Sequence, residues 1–386
     1  MVRSEFGRTA DADAMSDRQA LIVVAHSARA LAFSARWAGF APLAIDLFGD
    51  VDTRAASAAT MVVEGAIGSG FDRNALARAV DSLTLNYRPI GLVYGAGFEH
   101  DPDMIASLAE RICVFGNDAA TVKRSKEPRE LAKLCQSLGV KHPEIATTAP
   151  VPSDGWLAKQ CCGSGGSHIK PAWSEAALEG DFYFQRCVAG RPVSALFLAD
   201  GWKAELVGFS IQWTSPSGDA PFRYGGAVGP AEIEPFVERI IRAAVAGLTA
   251  ALGLRGLNSA DFLVSHDDVH LLEVNPRPGA TLDVFDRKDD PLIARHIAAC
   301  KGVSSARPPV RAARAAEIVY ATREIVIRAE RNWPDWIADL SPPGTHIAAG
   351  GPLCTVLAEG PDVESARLLA AARAREALAF LAGSEP

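Results

Sequence analysis

The run Leu271-Leu272-Glu273-Val274-Asn275-Pro276-Arg277-Pro278-Gly279 decides how this chain is read. Glu273 and Asn275 stand two apart among apolar residues, so on a strand both project from one face. Two oxygen donors side by side on a rigid strand suit a Mg²⁺ ion that also holds phosphate oxygens. Upstream, Asp261 sits in a second apolar run, Ala260 to Val264, and the turn-forming cluster Ser265-His266-Asp267-Asp268 separates the two. The runs read as a hairpin. Asp261 falls opposite Glu273 if the loop holds an odd number of residues, such as His266 to Asp268. That register is the expectation, because it places Asp261, Glu273 and Asn275 on one face. Alone, the pattern is weak: a strand ending in Asn-Pro is commonly a plain exit into a turn, and acidic residues at strand ends are usually solvated.

Two further stretches carry chemistry. From Trp156 to Ile169 an apolar run bearing Lys159 leads into Cys161-Cys162-Gly163-Ser164-Gly165-Gly166-Ser167 and then returns to apolar residues. Backbone N–H groups of a glycine-rich turn approach phosphate oxygens with no Cβ in the way. A lysine on the preceding strand adds a compact positive charge. The loop lacks the Walker spacing, and no clear helix follows it, which argues against a dinucleotide fingerprint. A flexible hairpin tip is the plain alternative. Downstream, Phe182 to Gly190 runs from an apolar strand into a glycine, where exposed backbone groups could meet an adenine edge; a core strand is the simpler reading.

Taken in this order, the three features resemble the ATP-grasp superfamily, whose members place a phosphate lysine and glycine loop, an adenine hinge, and an acid with a Glu-x-Asn pair along the chain. The Pro276-Arg277 continuation is similar to biotin carboxylase and its relatives. The segments Leu21 to Ala32 and Ala41 to Asp52 resemble the α/β domain that precedes the ATP-grasp unit, most like the group containing tyramine–glutamate ligase. The tail, Pro343 to Ile347 and Pro352 to Val356, resembles the carboxyl-terminal domain of biotin carboxylase-like and purine-pathway members. The resemblance spans nearly the whole chain.

It implies an α/β fold, α+β in the nucleotide-binding part, with residues 1–18 disordered. A parallel-sheet domain is expected over 19–117, the ATP-grasp unit over 118–301, and a small α/β domain over 302–386. It implies that Lys159 meets the phosphates and that Gly163, Ser164, Gly165, Gly166 and Ser167 close over them. Gln185, Arg186 and Val188 form the hinge, with the Arg186 carbonyl and Val188 N–H toward adenine. Asp261, Glu273 and Asn275 hold Mg²⁺ or Mn²⁺, and Arg277 acts beside Lys159 on the reacting phosphate or substrate. Lys123, Arg124 and Lys126 all stand before a helix expected from Pro128 to Leu138; Lys126 is favoured for ATP, against a solvated basic cluster. One departure is that Pro192 stands where D-alanine–D-alanine ligase carries a ribose-binding acid, so ribose contacts must come from elsewhere.

Composition agrees with an enzyme of two or three domains: 386 residues, 48% hydrophobic, no apolar run long enough to span a bilayer, and no secretory segment in the first eighteen residues. The formal charge of −7 argues against nucleic acid as a partner. The seven cysteines show no metal-ligand spacing and read as reduced thiols in a cytoplasmic protein; adjacent Cys161 and Cys162 would face opposite sides of a strand. His26 ends the first strand and either lines a cleft or, like Ser27, caps the next helix. Glu99 follows a buried-looking strand, where ligands bind in open α/β sheets, although a helix N-terminal charge is the commoner role. Arg29, Arg223 and Tyr224 are further positional candidates for the acceptor pocket. A Pro/Arg-rich connector, Ala306 to Arg314, precedes the last domain.

The resemblance thus implies a ligase that consumes ATP to join a small-molecule carboxylate to an amine through an acyl phosphate. A glutamate-like amino acid and a small cofactor precursor are the expected substrates, with no nucleic acid and no membrane partner; a homodimer stays open. A bicarbonate-using carboxylase and a nucleotide-binding regulator without catalysis are the two competing readings. The complete acid, Glu and Asn set speaks against the last.

Overall fold

Runs that are buried at every position become parallel strands at the start of the chain. Ala20–Val24 and Ala41–Asp46 are buried throughout, as befits strands covered on both faces. With Ala59–Val62, Leu92–Tyr94 and Val114–Phe115 they form a five-stranded parallel sheet. The order reverses at Ala20–Val24, with Ala41–Asp46 on one side and Leu92–Tyr94 on the other. This creates a crevice at the carboxyl ends of those strands. Helices Arg29–Trp37, Arg73–Tyr87 and Asp103–Ala109 connect the strands. Asp72 caps the second by accepting from Ala75 N–H at 2.7 Å.

This is a computed structural model, and it describes residues 17–173, 181–218, 220–266, 268–303, 312–328 and 333–382. The expected disordered start, but for its last two residues, and most of the connector Ala306 to Arg314 lie outside the described residues. Among the described residues no helix is long and apolar enough to cross a membrane.

The largest sheet has eight strands. In spatial order they are Val269–Asn275, Arg255–Val264, Arg191–Asp200, Ala204–Thr214, Tyr224–Gly229, Ala313–Tyr320, Pro352–Gly360 and Ile337–Ala338, every pairing antiparallel. Alternation divides its faces. Val193, Ala195 and Phe197 pack with Phe209, Ala260 and Phe262 under the helix Pro235–Leu252. Leu196 and Leu198 point the other way, into a core shared with the first sheet through Leu21, Val23 and Val93. The last three strands come from the segment expected to be a separate carboxyl-terminal domain; they extend the same sheet across the 301/302 boundary. The helix Val363–Ala382 lies against them, with Ala374, Ala377 and Leu381 in one core with Val356.

A smaller four-stranded antiparallel sheet, in the order Ile169–Pro171, Trp156–Gln160, Phe182–Arg186 and Ile145–Ala146, stands apart with its own small core of Trp156, Ala158 and Phe184. Cys161 and Cys162 do not lie on its strand as expected. They turn out of it immediately afterwards, Cys162 with φ +63°. Ser27 does not cap the first helix. Its hydroxyl donates to Asp339 Oδ1 at 2.9 Å, while Asp46 Oδ2 accepts from Ala28 N–H at 3.3 Å.

Candidate active site

The hairpin brings the three proposed metal donors together, by a route the loop count did not foresee. Val264 pairs with Val269, so the connection holds four residues and is even. A β-bulge between Asp261 and Phe262 shifts the register by one, and Asp261 then lies opposite Glu273. On the neighbouring strands Ser194 pairs with both Asp261 and Ser210. A row of polar side chains, Glu273, Asp261, Ser194 and Ser210, therefore crosses the sheet face.

Asn275 joins the carboxylates. Its Nδ2 donates to Asp261 Oδ2 at 3.0 Å and to Glu273 Oε1 at 3.2 Å. Gln212 Nε2 donates to Asp261 Oδ1 at 3.3 Å. Lys126, last residue of the helix Ala119–Lys126, places Nζ 2.7 Å from Asn275 Oδ1 and 3.4 Å from Glu273 Oε2. Of the three basic residues weighed above, only Lys126 is brought here. Lys123 pairs with Asp103 at 2.7 Å on the surface, and Arg124 donates to the Ala251 carbonyl at 3.1 Å. The two carboxyls differ in character. Burial, then the Glu273 charge, pushes Asp261 up to about 7. Burial also opposes ionisation of Glu273, but Lys126, Lys159 and His168 overcome it and hold Glu273 well below the usual range. One acid is thus firmly charged and its neighbour titrates near neutrality.

The small sheet supplies the second wall. Trp156 and Ala158 face its core, so Lys159 points to the opposite side. Tyr183 pairs with Lys159 and Gln185 with Leu157, which puts Lys159, Tyr183 and Gln185 on one face. Lys159 Nζ lies 3.3 Å from Gln185 Oε1 and 5.7 Å from the Tyr183 ring centre. Burial lowers the Lys159 pKa despite the nearby Glu273 and Asp261 charges. The Gln185 amide nitrogen is buried without a partner among the described residues. In the hinge, the Arg186 and Cys187 N–H groups bond to the carbonyls of Glu144 and Gly155 at 2.8 Å each. The Arg186 guanidinium lies over Trp156 at 5.6 Å, so it is the backbone of this stretch, with Val188, that remains for a ligand.

The glycine loop is docked. Tyr224 N–H donates to the Gly165 carbonyl at 2.8 Å, and His168, whose pKa burial lowers to about 4, lies 3.3 Å from the Ser164 carbonyl through Nδ1. Gly166 has φ +76°, and a Cβ there would sit 2.0 Å from the Phe222 carbonyl oxygen. Gly166→Ala is expected to prevent this docking at a cost of about 1–3 kcal/mol. The expected signature is a roughly five- to hundredfold loss in kcat/KM for ATP, together with loss of nucleotide protection of the loop from proteolysis. Wild-type kinetics and protection would contradict the docked role.

Arg277 reaches the crevice of the parallel sheet. Its Nε donates to Glu99 Oε1 at 2.7 Å, while Glu99 Oε2 accepts from Gly97 and Phe98 N–H at 2.8 and 3.0 Å. Burial opposes the Glu99 charge, but Arg277, Lys126 and these bonds hold its pKa at about 2, below the ordinary 4.5. Glu99 therefore positions Arg277 and does not cap a helix. Its stabilisation is complete above the unfolded pKa and is lost as pH falls through the folded one. Glu99→Gln is expected to cost roughly 2–4 kcal/mol at pH 7, with the gap to wild type closing as denaturant melts are taken from pH 4.5 toward pH 2. A constant gap would rule out the ion pair as its source.

Two other acceptor candidates, Arg29 and Arg223, are occupied. Arg29 is buried between Asp283, at 2.5 and 2.7 Å, and Asp339, at 3.1 and 3.2 Å. Arg223 stacks on Tyr320 at 3.6 Å and donates to the Ser215 and Gly350 carbonyls at 2.9 Å. The Tyr224 hydroxyl is buried without a partner among the described residues. His26 abuts Gly97 and Phe71, and burial lowers its pKa to about 4. Gln212, Ser194 and His168 were missed; the only signal for the first two was a polar residue at alternate positions of apolar strands.

These residues fit a magnesium nucleotide. Two carboxylates and an amide offer hard oxygen donors, and two cations, Lys126 and Lys159, hold Glu273 ionised among them. A glycine-rich turn adjoins them, and a buried amide nitrogen on the hinge strand has no partner among the described residues. Among the described residues no group of three or more His, Cys, Asp or Glu is placed to hold a metal; here the third donor would be the Asn275 amide.

Such a site on such a sheet pair defines an ATP-grasp fold. Residues 127–281 match the family model of the ATP-grasp domain, and the chain carries that domain. Solved structures share the fold over most of the length. The L-amino acid ligase from Bacillus licheniformis superimposes with a TM-score of 0.69 at 13% identity, over 94% of this chain and 98% of that one. The N5-carboxyaminoimidazole ribonucleotide synthetase from Thermotoga maritima gives 0.64 at 14%, over 93% and 98%. The biotin carboxylase domain of the Hydrogenobacter thermophilus 2-oxoglutarate carboxylase, solved with MgADP, ADP and bicarbonate, gives 0.66 at 11%, over 88% and 86%.

Proposed function

We infer that this chain is an ATP-dependent ligase that activates a carboxylate as an acyl phosphate and transfers the acyl group to an amine. The observation that carries the reading is the meeting of Lys126 and Lys159 with the Asp261, Glu273 and Asn275 set, with Arg277 held by Glu99, because phosphoryl transfer asks a protein mainly for positioning and charge neutralisation. A carboxylate oxygen bonds to the γ-phosphorus as the bond to the ADP oxygen breaks. The amine nitrogen then attacks the acyl carbon, phosphate leaves, and the nitrogen loses a proton. Asp261, Glu273 and Asn275 would hold Mg²⁺, which neutralises phosphate charge. Lys159 and the glycine loop hold the phosphates, and Arg277, fixed by Glu99, faces the transferred group.

The likeness to an L-amino acid ligase over nearly all of both chains supports an amino-acid substrate. The resemblance to the tyramine–glutamate ligase group points to a glutamate-like acid joined to a small amine in cofactor biosynthesis. The test is ADP release across a panel of amino acids and amines, with hydroxylamine added to trap the acyl phosphate as a hydroxamate. Amine-independent turnover that requires bicarbonate would replace the ligase with a carboxylase. Tight ATP binding with no turnover on any substrate would leave a regulator.

A further inference from the structure

Every oxygen of the two site carboxylates is already occupied by a donor of the chain itself. Gln212 Nε2 stands at Asp261 Oδ1, 3.3 Å away. Asn275 Nδ2 stands at Asp261 Oδ2 and Glu273 Oε1, 3.0 and 3.2 Å away. Lys126 Nζ stands at Glu273 Oε2, 3.4 Å away. The Asn275 amide is therefore turned with its nitrogen toward the carboxylates, and its oxygen is engaged by Lys126 at 2.7 Å. Lys126 is 6% exposed, so its ammonium relies on these groups in place of water. Asp261, Glu273 and Asn275 offer three convergent oxygens to a cation only if Lys126 withdraws and the amide turns over. A divalent ion arriving alone would also meet two nearly buried ammoniums, Lys126 and Lys159, that already share the carboxylate charge it needs.

We propose that Lys126 is a displaceable internal counter-ion that keeps a divalent ion out of the Asp261, Glu273 and Asn275 set until a nucleotide enters. The polyphosphate carries the charge that draws Lys126 across, and the freed oxygens take the metal that arrives with it. Metal binding is thereby made conditional on nucleotide. The position of Lys126 suits a short swing: it ends one helix at the break before Pro128, where Glu127 is extended at ψ 114°. The inference rests on the magnesium-nucleotide reading above and adds an order of events to it.

The test is a Mn²⁺ titration of the full chain, followed by the paramagnetic signal of the free ion, first alone and then with a non-hydrolysable ATP analogue. Wild type is expected to bind Mn²⁺ alone at least about tenfold more weakly than Lys126→Met does. Lys126→Arg, which keeps the charge, is expected to exclude the ion as wild type does. Lys126→Met is expected to bind the analogue about tenfold more weakly. A merely structural lysine would lower the melting temperature of the Met variant without tightening Mn²⁺. Equal Mn²⁺ affinity in wild type and Lys126→Met overturns the proposal. Should the Met variant fail to fold, tight Mn²⁺ binding by nucleotide-free wild type overturns it equally. Failure of wild type to bind the analogue in the presence of metal would instead sink the nucleotide reading, so the two failures are separable.

Discussion

Glu273→Ala is expected to lower kcat by about 10²–10³-fold and to cost about 1–3 kcal/mol of stability. Both effects have one cause. Glu273 is the firmly ionised acid of the site, and two lysines and an asparagine are arranged around it. Its removal takes away an oxygen donor of the proposed metal set and leaves Lys126 and Lys159 nearly buried without their main counter-charge. The stability loss stays below that of a fully enclosed ion pair because the Glu273 side chain is 33% exposed and water screens what remains. Turnover and urea melts of the same preparation measure the two effects. Wild-type turnover in a folded variant would remove Glu273 from the metal set.

Lys159→Met is expected to show the opposite pairing, with activity falling about 10²-fold while stability holds or rises by up to about 2 kcal/mol. Lys159 is 5% exposed, and its one hydrogen-bond partner among the described residues is the neutral Gln185 oxygen at 3.3 Å. Its lowered pKa records that burial outweighs the attraction of the two acids. A cation kept in that position at a loss is explained by an anion that it binds. Methionine fills the same volume and removes the desolvation penalty. A strongly destabilised Met variant would mean that Lys159 is structural. Unchanged nucleotide affinity and rate would separate it from the phosphates.

The features legible in the sequence were those set by local periodicity. Apolar runs such as Leu21 to Ala25 announced buried parallel strands, and the two-residue spacing of Glu273 and Asn275 announced a shared face. The Asp261–Glu273 pairing was also foreseen, but for a wrong reason. A bulge, invisible to residue counting, repaired the parity that an even connection would have broken. Long-range partners left no trace in the chain. Nothing around Glu99 indicates that it receives an arginine 178 positions away, nor around Arg29 that Asp283 and Asp339 enclose it. Lys126 was favoured among three basic neighbours, yet its helix, Ala119–Lys126, went unrecognised, because the segment is short and has little apolar periodicity.

The continuity of the eight-stranded sheet bears on how the chain can be cut. Among the described residues, Tyr224–Gly229 is paired on its far side by Ala313–Tyr320, from Gly226 to Gly229. A fragment ending near residue 303 would bare that strand along its length, and its Tyr-Gly-Gly-Ala-Val-Gly sequence carries no charge to discourage a second copy from adding on. Such a truncation is expected to self-associate into insoluble material, so residues up to about 303 are not expected to yield a free-standing module.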